Sequence, residues 1–392
     1  MPFPPTFRTR RNASPACSST TRKFRRDNSY RLSVTDDRID LNLLTTALLI
    51  SAIGAMLVYS ATHSSPDAPL FRKQILWSLI GILLMLLFIA VDYHALMEIS
   101  PFLYALGIAL LSYVLIWGRL TRYAKSWIHI GGFQFQPSEF MKIFTALLVA
   151  KYFDSNDRAY LNLRNFVVVM AIIGAPMLLI APQPAIGSAA SFLPLAGVAM
   201  FFGGIRPRFW LIAIVCGLMA LPVGWHYLKP FQRERIMIFL DPARDPLGTG
   251  YQVMQAKIAT GSGGITGKGY LHGTQVSLEY LPARHTDFIF SVLGEEWGFV
   301  GVIVVLTLYL FLILESLSVA KAARDRGGTF LVLSLVAFFI YHIVINVGMQ
   351  IGLLPVTGIP LPLISYGGSA TMMFFIAVGL ILNVDFRKFV NV

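Results

Sequence analysis

The chain has 392 residues, of which 56% are hydrophobic and only 13% charged, with a formal net charge of +12 and a mean hydropathy of +0.66. Soluble domains carry roughly 25% charged residues, so an ordinary water-soluble fold is excluded. Apolar runs about 20 residues long, enough to cross a hydrocarbon core of about 30 Å, recur along the chain and make it an all-α polytopic integral membrane protein.

The positive charge does not point to nucleic acid, because much of it sits at one end. Residues 1–40 hold nine Lys and Arg, in clusters such as Arg8-Thr9-Arg10-Arg11 and Arg22-Lys23-Phe24-Arg25-Arg26. A basic, Ser- and Pro-rich segment with no apolar run cannot bury a core and is expected to be a disordered cytoplasmic tail. It lacks the apolar stretch of a cleavable signal, and its expected role is to hold the N-terminus beside anionic lipid. Cys17 lies in this tail and Cys216 in an apolar run, a separation that suits neither a disulfide framework nor a zinc site.

From residue 41 the hydropathy pattern predicts ten spans, at about 41–61, 75–91, 101–118, 138–153, 165–181, 188–204, 209–228, 297–317, 328–349 and 363–384. An even count returns the C-terminus, with Arg387 and Lys388, to the side of the basic tail. Lys151, Arg158, Arg164, Arg206, Arg208, Lys321, Arg324 and Arg326 then fall in cytoplasmic loops, as the positive-inside rule expects. Arg72, Lys73, Arg119, Arg122 and Lys125 fall outside and fit it less well.

Four polar segments interrupt this pattern. Gln136-Pro-Ser-Glu139 opens span 4, where Pro137 and Ser138 suit a helix start. Glu139 and Lys142, three residues apart, share a helix face. They read first as a structural ion pair and second as part of a substrate cavity. A long external loop at 229–296 balances seven basic against seven acidic residues, and Tyr251–Ala259 within it reads as a short amphipathic helix. Its Gly261–Gly269 run fails the Walker pattern, with Ser262 and Gly269 at key positions. With Lys268 it reads either as a cradle for a pyrophosphate or as a flexible surface turn.

The third segment is Arg284-His285-Thr286-Asp287. Asp287 before an apolar run reads equally as a helix N-cap, worth about 1 kcal/mol, or as a carboxylate made more basic by partial desolvation at the membrane boundary. The fourth is the Pro- and Gly-rich run 352–369. Irregular backbone at membrane depth survives only when buried in protein or lining a wet cavity, so this run predicts the wall of a site. His342 and Asn346 in span 9 read as inter-helix hydrogen-bonding groups.

Taken together, Gln136-Pro-Ser-Glu139, the glycine loop running into Gly273-Thr-Gln275, His285-Thr-Asp-Phe-Ile-Phe290 and Ile364-Ser-Tyr-Gly-Gly-Ser369 resemble the SEDS family of peptidoglycan polymerases. The run Gly348–Pro362 is similar to its elongation branch rather than its division branch. The resemblance covers everything after about residue 40. It implies a ten-helix membrane domain over 41–392 with a large external catalytic loop (229–296) between helices 7 and 8. It implies polymerisation of lipid II, the undecaprenyl-pyrophosphate-linked disaccharide peptide, beside a class B penicillin-binding protein of the elongation machinery. The family's essential acidic residue matches Asp287. Two family carboxylates are missing, because Ala185 and Ala283 stand at positions usually held by Asp and Glu.

On this reading Asp287 is the general base for glycosyl transfer. The expected substrate-binding residues are Glu139, Lys142, Arg233, Arg235, Lys268, His285, Thr286, Ser365 and Tyr366. A divalent cation, Mg2+ or Mn2+, could share the charge of the leaving group, although no ligand spacing demands one. The rivals are a flippase for the same lipid-linked precursor, which should carry its charges near the bilayer midplane in matching halves, and a non-catalytic scaffold for the penicillin-binding protein.

Overall fold

The computed structural model describes residues 40–388 apart from 64–66, 122–123, 131–132, 157–162, 184, most of 205–229, 246–247 and 279. The basic tail and the predicted seventh span (209–228) therefore lie outside the described residues, except for a few positions of that span.

Helix α1 (Leu41–Thr62) starts where the Asp40 carboxylate accepts from the Asn42 and Leu43 amides, a side-chain cap. It is followed by α2 (Pro69–Ala90), α3 (Tyr93–Trp117), three short strands β1 (Arg119–Thr121), β2 (Ala124–Ile130) and β3 (Phe133–Phe135), α4 (Pro137–Asp154) and α5 (Leu163–Ile180). The strands form an antiparallel sheet in the order β1-β2-β3, an element hydropathy alone does not signal. The predicted sixth span is two pieces, α6 (Ile186–Ala190) and α7 (Leu193–Phe202). Pro194, in the first turn of α7, has no amide to continue the helix from α6.

The long loop contains α8 (Pro230–Leu240), a 3-10 turn (Pro242–Arg244), α9 (Thr249–Ser262) and α10 (Thr274–Ser277). The amphipathic helix expected at 251–259 is thus present and slightly longer. The chain closes with α11 (Ile289–Ala322), α12 (Arg326–Gln350) and α13 (Gly368–Arg387). Among the described residues seven helices, α1, α2, α3, α5, α11, α12 and α13, are long and apolar enough to cross a membrane. The protein is a multi-pass membrane protein.

Helix α13 is buried along almost its whole length and packs closely on α2. Small residues allow the approach: a Cβ at Gly379 would stand 2.7 Å from the Met85 carbonyl oxygen, and one at Gly81 would stand 2.4 Å from the Phe375 ring. At the end of α2, Asn383 donates to the carbonyls of Phe88 and Ile89, both at 2.8 Å. These oxygens have no intrahelical partner at a helix C-terminus, so one buried amide both caps α2 and fixes α13.

The start of α11 corrects two expectations. The helix begins at Ile289, eight residues before the predicted span, and bends at Gly298, whose φ of 64° and ψ of −163° are open essentially to glycine alone. The bend breaks the helical ladder, and the glycine-rich loop repairs it. The Lys268 and Gly269 amides donate to the Glu295 and Glu296 carbonyls at 3.0 Å, while the Phe299 and Val300 amides donate to Gly264 and Ile265 at 2.9 and 3.0 Å. A Cβ at Gly267 would lie 2.1 Å from the Glu296 oxygen. The glycine run is neither an open cradle nor a loose turn: it is a clamp around the bend, and its glycines permit backbone-to-backbone contact.

Gly298→Ala should therefore lower stability by about 1–3 kcal/mol through backbone strain, with further loss from the 2.3 Å approach of its Cβ to the Gly267 nitrogen. A clear drop in the thermal midpoint of the purified protein in detergent is expected; an unchanged midpoint would show that the clamp is not needed.

Candidate active site

Helix α12 carries His342, Asn346 and Gln350 at four-residue spacing, which places them on one face. All three are fully buried. The Lys142 ammonium can only donate, so its 2.8 Å contact to His342 Nε2 assigns the proton to Nδ1, which donates to the Pro360 carbonyl at 3.1 Å. Asn346 Nδ2 donates to the Ile359 carbonyl at 2.7 Å and to the Asp287 carbonyl at 3.0 Å. Gln350 donates to Asn346 Oδ1 at 2.6 Å, and its own oxygen accepts from the Ser291 amide at 2.6 Å. One helix face thus satisfies the irregular run after α12 and the first turn of α11 together. Gln350 is the member that sequence reasoning missed.

The two irregular segments also bond to each other. Ser365 Oγ donates to the Thr286 carbonyl at 2.7 Å and accepts from the Leu361 amide at 2.8 Å, and the Tyr366 amide donates to the His285 carbonyl at 2.9 Å. The His285 ring meets Tyr366 edge-on at 5.6 Å. Asp287 is held by its own backbone, through Asn346, two residues ahead of the helix. Phe288 takes the N-cap position with no side-chain cap bond, so the capping explanation of Asp287 does not hold.

The side chain of Asp287 reaches a cavity of about 290 Å³. Arg235, on α8, lines the same cavity and sits close enough for the carboxylate to favour its charged form, while burial pulls its pKa below the usual arginine value. Thr286, Ser126, Ser188, Gln136 and Thr357 add polar groups, and Trp127 and Tyr366 add aromatic surface. Gly358, at φ +72°, stands against Asp287: a Cβ there would be 3.7 Å from Oδ2. Hydroxyl, amide and ring groups around one carboxylate and one guanidinium suit a sugar bearing an anionic substituent.

Of the residues predicted from sequence, Asp287, Thr286, Arg235 and Tyr366 meet in this cavity, with Ser365 and His285 directly behind them. The others lie elsewhere. Lys142 is fully buried and donates to both Glu139 oxygens at 2.9 Å, so the pair acts as a clasp whose side chains reach the cavity wall through His342 and Pro360. Arg233 donates to the His226 carbonyl. Lys268 is paired with Glu295 at 2.7 Å and with Thr274 at 2.7 Å, inside the clamp. Arg284 donates to the Ala61 carbonyl at 2.7 Å and ties the loop to α1.

Sequence reasoning did not name Ser126, Trp127, Gln136, Ser188 and Thr357 as lining residues. Gln136 carried a signal from its place in the Gln-Pro-Ser-Glu motif, and Thr357 from its place in the Pro- and Gly-rich run 352–369. Ala185 lines the cavity, so the methyl group that replaces the family's carboxylate sits in the site itself. Ala283 does not line it. With a φ of 55°, Ala283 shapes the turn whose carbonyl accepts from the Thr286 and Phe288 amides.

Comparison with known proteins matches residues 40–389 to the model of the FtsW/RodA/SpoVE cell cycle proteins. The chain belongs to this family. It is 37% identical over 352 residues to the peptidoglycan glycosyltransferase MrdB of Escherichia coli K12, covering 89% of this chain and 94% of that protein. It is 34% identical to the peptidoglycan glycosyltransferase RodA of Treponema pallidum, covering 89% and 98%. Among solved structures, a chain of a peptidoglycan synthase complex that coordinates polymerization and crosslinking superposes with a TM-score of 0.77 at 32% identity, over 90% of this chain and 98% of that one. The rod shape-determining protein RodA of Thermus thermophilus gives a TM-score of 0.67 at 26% identity over the same shares. The membership agrees with the SEDS motifs, and the fold is that of its RodA-like members.

The buried ion pair gives a direct test of the clasp. Lys142→Met leaves the Glu139 charge buried without its partner and should cost about 3–5 kcal/mol, read as a fall in thermal midpoint. The double change Glu139→Gln/Lys142→Met should recover most of the loss; equal loss in both would locate the effect in packing rather than charge.

Proposed function

We propose that this protein is a peptidoglycan glycosyltransferase that polymerises lipid II into glycan strands at the outer face of the cell membrane during elongation. One observation carries the reading: a carboxylate and a guanidinium line a single cavity whose remaining surface is suited to sugars. The names of the relatives support the same chemistry.

In the reaction a sugar hydroxyl of the acceptor attacks the anomeric carbon of the donor. The new carbon–oxygen bond forms as the bond from that carbon to the pyrophosphate breaks, and the polyprenyl pyrophosphate leaves with the electron pair. Asp287 takes the hydroxyl proton as general base, a role that typically contributes about 10²–10⁴-fold. Arg235 stays cationic and stabilises the charge that develops on the leaving group. Asn346 holds the Asp287 backbone, and Trp127 and Tyr366 offer faces on which sugar rings can rest.

Among the described residues no three His, Cys, Asp or Glu side chains gather as a metal site, and Asp287 is the sole carboxylate among the residues lining the cavity. These residues do not fit a protein-held Mg2+ or Mn2+. Crosslinking of the strands falls to a class B penicillin-binding protein of the elongation machinery, and the synthase complex among the structural relatives supports such a partner. The membrane is the inner membrane of a bacterial cell, with both termini cytoplasmic, an orientation that the distribution of Lys and Arg supports.

Transport of the same precursor is disfavoured. The buried charged pair Glu139–Lys142 is locked by His342 instead of lining an open path, and the groups fit for substrate chemistry collect at one cavity built from helix ends and loops.

Asp287→Asn keeps the size and polarity of the side chain and removes the base. Polymerisation of lipid II by the purified protein with its penicillin-binding partner should fall at least about 10²-fold with no shift in thermal midpoint. Retained activity would reject the base assignment. Movement of lipid II across liposome bilayers without polymer would revive the transporter.

A further inference from the structure

Beside the Asp287 cavity lies a second, smaller space of about 120 Å³, lined by Ile186, Gly187, Gln232, Ile236, Pro355 and Val356. Arg235 and Thr357 belong to the walls of both spaces. The slot is thus almost entirely apolar, the cavity is polar, and a cation and a hydroxyl stand at their junction. Thr357 Oγ1 is buried and has no hydrogen-bond partner in the structure. A buried hydroxyl without a partner calls for an explanation, commonly a bound group.

We propose that this slot receives the first isoprene unit of the donor's polyprenyl chain, with Arg235 and Thr357 gripping the pyrophosphate at the junction. The assignment rests on the glycosyltransferase reading and names which substrate lies where: the donor enters from the slot side, and the acceptor hydroxyl approaches Asp287 from within the cavity.

Size and chemistry agree with this occupant. An apolar cavity of roughly 150 Å³ takes a six-carbon ring, so a slot of about 120 Å³ suits a branched five-carbon unit. A prenyl pyrophosphate changes from fully apolar to doubly anionic across a single bond, and the walls change from Ile236 and Val356 to Arg235 across one turn of α8 and its neighbouring loop. Tyr341 donates to the Gly187 carbonyl at 2.9 Å and links this wall to an apolar groove of about 300 Å³ on α7 and α12. The later isoprene units of a long chain can lie along that groove.

The benefit is placement more than affinity. A lipid tail leaving the bilayer for an apolar slot gains little, because it was already in hydrocarbon. Seating the first unit instead fixes the direction of the pyrophosphate, and with it the line along which the leaving group departs from the anomeric carbon.

The test uses the full-length protein reconstituted with its penicillin-binding partner. The probe is farnesyl pyrophosphate carrying a photoreactive diazirine on the isoprene next to the pyrophosphate, with crosslinks mapped by peptide mass spectrometry. Labelling at 186–187, 236 or 355–356 is expected, competed by unlabelled farnesyl pyrophosphate and not by dodecanol. Ile236→Trp, which fills the slot, should abolish the label. Thr357→Val, nearly isosteric and removing only the hydroxyl, should weaken it about tenfold. A label that maps elsewhere, or one that survives Ile236→Trp unchanged, overturns the slot. Polymerisation of lipid II measured on the same samples keeps the two ideas separate. Polymer from the wild type with no slot label sinks the slot alone, whereas slot label without polymer keeps the prenyl site and sinks the glycosyltransferase reading.

Discussion

Backbone that leaves a helix inside a bilayer has no water to bond with, so each freed amide and carbonyl needs a partner from the protein. The run between α12 and α13 and the turn before α11 both face this constraint, and both meet it on the same side chains. His342, Asn346 and Gln350 reach from one face of α12 to the carbonyls of Pro360, Ile359 and Asp287 and to the first turn of α11. Ser365 then joins the two irregular segments to each other. Asp287 is placed by these bonds, which satisfy its own carbonyl and that of Thr286 beside it. The backbone of Asp287 is thereby fixed, held by the buried Asn346 amide on a long helix.

The same economy shows at the bend of α11. Gly298 interrupts the ladder, and the glycine-rich loop supplies donors and acceptors for the groups released. Lys268 adds its charge to the buried Glu295 carboxylate, which also accepts from Thr274 and the Gln275 amide. A loop that looked suited to phosphate is used to hold a helix. Arg235, on a separate helix, lines the cavity beside Asp287. Structural and chemical charges are therefore kept apart in the fold: Glu139–Lys142 and Lys268–Glu295 fasten elements, while Arg235 and Asp287 open to the cavity.

The cavity works with fewer carboxylates than the family pattern implies. Ala185 lines it in place of an acidic residue, and Ala283 sits in the turn behind it. The junction of polar cavity and apolar slot matches the make-up of a lipid-linked sugar, whose reactive bond lies close to its own change from polar to apolar.

Much of this was legible in the residues. Long apolar runs located the membrane helices, because crossing a bilayer demands both length and apolarity, and the ordered motifs around Gln136, His285 and Ser365 marked the segments that build the site. Proline and glycine at membrane depth signalled irregular backbone near that site. Partnering was not legible. Whether Lys142, Lys268, Arg233 or Arg235 faces substrate depends on which groups other helices bring to each one, and no local pattern in the chain encodes that. Trp127 and Thr357 reach the cavity from a small sheet and a coil whose positions follow only from packing. The sequence by itself determined the membrane class, the family and the residue types of the chemistry, since these follow from composition and local order. The tertiary structure decided which charges hold helices together and which line the cavity, because a charge buried in a membrane protein is defined by its partner.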